Sequence, residues 1–238
     1  MQLIIDIGNT RIKFALFEGQ TLFAFDSGEV SKLKHFIQKK NIKHAIISSV
    51  AKSKKIEELL ISHNIEFLNF SYKTKVPISN KYATPKTLGD DRLANVIGGN
   101  KLYPNKNILV IDCGTCIKYD FINQKNEYIG GAISLGLKMR FKALNKFTEN
   151  LPLIKPKEID FLEGDSTENS ILSGIVNGTI AEINGIISQY SAIYENLTII
   201  LTGGDTNFFD TKIKSNIFVN SNLTLIGLNE ILLYNTKK

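Results

Sequence analysis

Short apolar runs and helical periodicities alternate along this 238-residue chain, and their order recurs. Leu3-Ile4-Ile5 is too short for a helix, so residues 2–7 read as a buried strand. Alternating segments over 11–17 and 21–26 predict two more. The period then changes: Leu33, Phe36 and Ile37 share one face of a helix from Val30 to Lys40. Residues 44–49 read as a buried strand, and Ser53 as the cap of a helix through Ile56, Leu59 and Leu60. Residues 65–70 form another strand. Residues 71–88, with Pro77 and Pro85, carry little periodicity and read as a long loop. A helix is expected over about 90–102. The pattern then restarts, with strands over 107–112, 116–122 and 127–133. Helices follow near 136–147 and 167–193, then a strand over 197–201 and a final helix over about 224–235. Neither a low-complexity segment nor a flexible linker interrupts this order.

Two motifs echo each other at the starts of the two halves. Asp6-Ile7-Gly8-Asn9-Thr10-Arg11-Ile12-Lys13 and Asp112-Cys113-Gly114-Thr115-Cys116-Ile117-Lys118 each follow an apolar run and precede a second strand. Aspartate at a strand end, then glycine, then a hydroxyl residue suits metal-bound phosphate. Glycine lets the backbone approach the anion, and the hydroxyl and turn N–H groups donate to it. The plain alternative is a hairpin turn, where Asn and Gly are also favoured. The echo favours phosphate binding in a duplicated fold, with nucleotide between the halves. Gly89-Asp90-Asp91-Arg92 opens the helix after the long loop. Acidic residues suit any helix start, but the arginine adds an anion clamp beside a candidate base. Thr202-Gly203-Gly204 and Gly130-Gly131-Ala132-Ile133 are further close-approach turns. Tyr82 and Thr167 carry no chemistry legible from sequence alone.

Composition adds limits. At 43% hydrophobic and 22% charged residues the chain matches ordinary soluble globular proteins. No apolar stretch is expected to reach the roughly 20 residues that span a bilayer. The chain enters a strand with no charged leader, so no signal peptide and a cytoplasmic location are expected. Cys113 and Cys116 form a C-x-x-C, but the histidines lie elsewhere, so packed thiols are favoured over redox or zinc chemistry. The formal charge of +6 comes from dispersed basic residues. It reads as solvated faces that favour anionic small substrates, not nucleic acid.

Together the motifs resemble those of the type III pantothenate kinases, within the acetate/sugar kinase–Hsp70–actin superfamily. The matching residues are Asp6-x-Gly8-Asn9-Thr10-x-x-Lys13, Gly89-x-Asp91-Arg92, Asp112-x-Gly114-Thr115, Gly130-Gly131-x-Ile133, Thr167 with Ser173-Gly174, and Thr202-Gly203-Gly204, in the family's order. The resemblance implies an α/β fold of two duplicated ribonuclease-H-like (actin-like) halves, residues 1–105 and 106–238. Mixed sheets flanked by helices would enclose an ATP cleft. It implies ATP-dependent phosphorylation of pantothenate, the first step toward coenzyme A, with Mg²⁺, a monovalent cation (K⁺ or NH₄⁺) and a homodimer. Neither nucleic acid nor membrane is an expected partner.

Residue by residue, Asp6, Ile7, Gly8, Asn9, Thr10, Arg11, Ile12 and Lys13 match the ATP phosphate loop. Asp6 is also the Mg²⁺ residue, directly or through water. Thr115 matches a second ATP contact and Asp112 the monovalent-cation ligand. Asp91 matches the general base. Tyr82, Gly89, Asp90, Asp91, Arg92 and Thr167 match pantothenate-contacting positions, with Thr167 acting across the dimer interface. Leu135 stands where the family usually has proline, and Cys116 where a small residue such as alanine is usual. A kinase of the same superfamily with another small hydroxylated substrate, or a non-catalytic transcription-accessory relative, remains the alternative.

Overall fold

The computed structural model describes residues 1–8, 12–38, 40–49 and 53–236. It divides into two compact units: Met1–Pro104 with Asn126–Ile129 and Asn222–Lys238, and Asn105–Lys125 with Gly130–Ser221.

In the first unit, β1 (Gln2–Ile7) pairs antiparallel with β2 (Ile12–Glu18) and parallel with β4 (His44–Ser49). With β3 (Thr21–Gly28) and β5 (Glu66–Asn69) the order is β3-β2-β1-β4-β5. Leu3, Ile4 and Ile5 are wholly buried, as a central strand covered on both faces requires. Helices α1 (Val30–Ile37) and α2 (Lys54–Ser62) cover one face through Leu33, Ile37, Ile56 and Leu60, packed on Leu3, Ile5, Phe14 and Leu16. Ser53 stands at the cap of α2, but its hydroxyl donates to Glu57 Oε1 at 2.6 Å and accepts no backbone N–H, a local side-chain bond that competes with capping.

Helices α3 (Asp90–Leu102) and α7 (Leu223–Thr236) also belong to this unit. Residues 222–238 pack with the first unit, although they follow the second in sequence. The reason is packing: α7 is apolar all round and buries Leu223, Leu225, Leu228, Ile231 and Leu232. The two helices approach backbone to backbone. A Cβ on Gly227 would stand 1.8 Å from the Ala94 carbonyl oxygen, and one on Gly98 2.4 Å from that of Leu223.

The second unit repeats the arrangement. Its strands β7 (Ile108–Cys113), β8 (Cys116–Ile122), β9 (Glu127–Leu135), β10 (Thr198–Thr202) and β11 (Phe218–Val219) lie in the order β11-β10-β7-β8-β9. Strand for strand this is the first sheet again, β7 antiparallel to β8 and parallel to β10. Helices α4 (Leu137–Phe147) and α5 (Thr167–Ile193) bury Leu137, Phe141, Ile171, Leu172, Val176, Ile183 and Ile187 against Leu109, Ile111 and Leu201. Contrary to expectation, α5 is long and apolar enough by composition to cross a membrane. Its apolar side serves this core instead.

Four short elements carry no period long enough to read from sequence. They are β6 (Ser79–Asn80), the 3₁₀ turn Pro85–Thr87, α6 (Thr206–Phe209) and β11. Of these, β6 and the turn fall within the expected loop. Strand β6 pairs with Glu127 and Tyr128, which orders the segment carrying Tyr82.

Candidate active site

Asp6 stands at the end of β1, half-buried, directly across the ladder from Lys13 on β2. Ile7 is buried, Gly8 exposed, and Ile12 opens β2. Asn9, Thr10 and Arg11 lie outside the described residues. The antiparallel register of β1 and β2 is what sets Asp6 opposite Lys13.

Gly89 caps α3 with extended backbone, and Asp90 and Asp91 fill the first turn, where the helix dipole favours negative charge. The Arg92 amide donates to Asp91 Oδ1 at 2.8 Å, which sets the carboxylate's direction. A Cβ on Gly89 would meet that oxygen at 2.8 Å, so a larger residue there would turn the Asp91 carboxylate aside. Burial, then the charges of Asp91 and Asp6, push Asp90 up to about 6. The structure therefore brings Asp6, Asp90 and Asp91 into one acidic neighbourhood.

Arg92 is only 4% exposed. Its guanidinium lies 5.4 Å from the Tyr82 ring centroid, and Tyr82 in turn stacks on Tyr128 at 6.0 Å. The Tyr82 amide donates to Asn80 Oδ1 at 3.0 Å. A planar cation on a stacked tyrosine is pre-organised to take a carboxylate or phosphate. Tyr82, without chemistry of its own in sequence, gains it from this contact.

In the second unit, Asp112 holds the same position on β7 as Asp6 on β1, and faces Lys118 across the ladder. Lys118 Nζ lies 2.7 Å from Asp112 Oδ2. Thr115 is exposed at the tip of the turn. Thr202-Gly203-Gly204 at the end of β10 seats against this turn. Gly203 has φ +101°, and a Cβ there would fall 2.4 Å from the Cys113 carbonyl oxygen and 2.5 Å from Asp112 Oδ1. The Asp205 amide donates to the Cys113 carbonyl at 2.8 Å. Cys113 and Cys116 are free thiols, and burial pushes Cys113 up, which makes it unreactive. Among the described residues no cluster of three metal-ligating side chains occurs.

Thr167 is the first residue of α5, after Ser166, whose hydroxyl accepts the Asn169 amide at 3.2 Å. It lines a cavity of about 410 Å³ with Leu144, Leu151, Ser170, Ile171, Gly174 and Ile175. No other expected site residue lines that cavity.

Sequence reasoning missed Arg140. Its Nε donates to the Leu135 carbonyl at 2.9 Å and its Nη2 to Ser134 Oγ at 3.0 Å and to Glu182 Oε2. Tyr119 donates to Glu182 Oε1 at 2.9 Å. Burial tends to raise Glu182, but the bonds from Arg140, Tyr119 and Ser134 outweigh it and hold the carboxyl below its ordinary range. The arginine thus pins the Ser134–Leu135 segment that leads into α4. A cation on α4 shortly after that segment was the only available signal.

A family model described as type III pantothenate kinase matches residues 2–189. Proteins named type III pantothenate kinase from Christiangramia forsetii and Phocaeicola vulgatus are 46% and 44% identical to this chain. The first alignment covers 99% of both chains, the second 100% of both. Among solved structures, a Campylobacter jejuni protein described as a candidate Baf family transcriptional activator superposes with a TM-score of 0.64 at 21% identity, over 98% of both chains. A glucokinase from an Antarctic psychrotroph gives 0.50 at 11% identity, over 99% of both. At such identities these structures show the fold alone. Matched over most of its length by the family model and over nearly all of it by full-length relatives, this chain belongs to the type III pantothenate kinase family.

Proposed function

We propose that this chain transfers the γ-phosphoryl group of ATP to the terminal hydroxyl of pantothenate, giving 4′-phosphopantothenate, the first step of coenzyme A biosynthesis. The observation that carries the reading is the family match over residues 2–189. The geometry of Gly89–Arg92 with Tyr82 supports it as a place for a small anionic alcohol. The Campylobacter likeness, at 21% identity, speaks to fold and lends no weight to a regulatory reading.

In this reading the segment Asp6–Lys13, with Asn9, Thr10 and Arg11, cradles the ATP phosphates, and Thr115 makes a second ATP contact. Arg92, stacked on Tyr82, takes the pantothenate carboxylate or a nearby phosphate. Gly89 and Asp90 line the same pocket. Asp91 orients the hydroxyl toward the γ-phosphate and accepts its proton late, since phosphoryl transfer passes through a loose transition state. An ordinary carboxylate is a weak base for an alcohol, so positioning is its larger contribution. Thr167 contacts pantothenate across a homodimer interface, and that homodimer is part of the proposal, as is a cytoplasmic location.

The acidic neighbourhood of Asp6, Asp90 and Asp91 fits Mg²⁺. Carboxylate oxygens are its preferred donors, and it uses one or two of them with substrate phosphate and water instead of a protein cage. When bound, Mg²⁺ neutralises phosphate charge as it develops. The Asp112 site fits a free monovalent cation poorly, because the Lys118 ammonium already stands on that carboxylate.

ADP release by purified protein, measured with and without pantothenate, tests the activity. Pantothenate-dependent turnover is the expected result; ATP loss independent of pantothenate, or none, overturns it.

A further inference from the structure

The echo between Asp6 and Asp112 extends to their partners. Both aspartates end the first strand of a unit, and both face a lysine across the ladder: Asp6 against Lys13, Asp112 against Lys118. In the second pair the contact is closed, with Nζ 2.7 Å from Oδ2 and side chains 15% and 14% exposed. A carboxylate that far out of water requires a positive neighbour. The ladder register supplies it from the adjacent strand, as opposite charges in cross-strand pairs do. On the carboxylate's other side the Gly203 turn presses in, leaving less than a Cβ's room beside Oδ1.

A lysine head is a compact +1 charge with three N–H donors, chemically a substituted ammonium ion. A free K⁺ or NH₄⁺ on the same carboxylate would bring a second positive charge beside the first. We propose that the ε-ammonium of Lys118 takes the place of a free monovalent cation at Asp112, so that this chain needs no added K⁺ or NH₄⁺. The proposal rests on the reading of Asp112 and Thr115 as part of the phosphate-binding machinery. The tethered charge then contributes the field that a bound ion would otherwise contribute, at no cost in ion binding.

The test compares K⁺, NH₄⁺ and tetramethylammonium buffers of equal ionic strength. Wild-type protein is expected to show the same kcat/KM and the same melting temperature in all three, and no saturable Tl⁺ binding by ²⁰⁵Tl NMR. Lys118→Met is expected to lose about 10–100-fold in kcat/KM in tetramethylammonium, the worth of one charge-assisted contact. K⁺ or NH₄⁺ should restore most of it, and the variant should gain K⁺-dependent melting and Tl⁺ binding. Should that variant fail to fold, the wild-type Tl⁺ and melting measurements decide alone. A wild type that binds Tl⁺ saturably or requires K⁺ overturns the proposal, as does a folded variant that gains no cation response. If wild-type protein phosphorylates no pantothenate in any buffer, the kinase reading fails. The Tl⁺ and melting comparison still judges the stand-in separately.

Discussion

Gly227→Ala is expected to damage both stability and catalysis, although alanine is the better helix former by about 1 kcal/mol. The added Cβ would stand 1.8 Å from the Ala94 carbonyl oxygen, where real Cβ atoms keep at least 3.0 Å. The obstacle is backbone on the neighbouring helix, so no side-chain rotation relieves it. Helices α3 and α7 must part by the difference, 1.2 Å or more at that crossing. Overpacking of a tight core costs about 1–3 kcal/mol and occasionally more. Parting helices that bury Leu93, Ile97 and Leu228 brings the net loss, after the propensity gain, to about 2 kcal/mol. For a chain of this size that lowers Tm by about 4–8 °C.

The same displacement reaches the site, because the N-terminus of α3 carries Asp90, Asp91 and Arg92. A shift near 1 Å of a positioning group costs up to about 10²-fold in rate. Calorimetry and steady-state kinetics on one preparation read both effects. Gly185→Ala is the matched control: it sits on α5 with no atom within 4 Å of its added Cβ. It should gain about 0.5–1 kcal/mol from propensity alone. A Gly227→Ala protein that melts as high as Gly185→Ala, with unchanged kcat/KM, would refute the close-approach argument.

Asp91→Asn is expected to lower kcat about 10²–10⁴-fold, the usual range for losing an acid–base group, with ATP still bound; normal turnover would remove Asp91 from the mechanism. Asp90, raised to about 6 in the folded chain from an ordinary 3.8, keeps a proton that the unfolded chain has released. Stability should therefore fall as pH rises through that window and level off above it. Asp90→Asn should abolish that slope and gain about 1 kcal/mol at pH 8, allowing for solvent screening of a half-exposed group; urea titrations showing the same slope in both proteins would contradict this. Arg140→Met should cost about 1–3 kcal/mol by stranding Glu182, and adding Glu182→Leu should recover much of it. Additive losses in that double-mutant cycle would show that the two do not act as a pair.

The sequence could announce the duplicated strand order because a strand buried on both faces must be a run of apolar residues. Leu3-Ile4-Ile5 and Ile108-Leu109-Val110-Ile111 are such runs, and both became central strands. It could not announce that α7 joins the first unit. An apolar helix names no partner, and only the glycines that let α7 meet α3 backbone to backbone single one out. Two-residue pairings such as β6 escape detection for another reason: two residues have no period.

The candidate site divides along the same line. Asp6, Gly89, Asp91 and Asp112 could be singled out as candidates because carboxylate and glycine stand next to each other in the chain, as phosphate binding favours. Tyr82, Arg140 and Lys118 were not legible in what they do, since each acts through a residue distant in sequence or on a neighbouring strand. Tyr82 gains its chemistry from Arg92, and Arg140 from Glu182 and the Leu135 carbonyl. Lys118 is the sharpest case. In sequence it only closes the second echoed motif, while the ladder register sets it against the largely buried Asp112 carboxylate. The two Asp-x-Gly turns look alike because the fold repeats. In the second of them the lysine across the ladder closes on its aspartate at 2.7 Å, a contact that only the folded register makes.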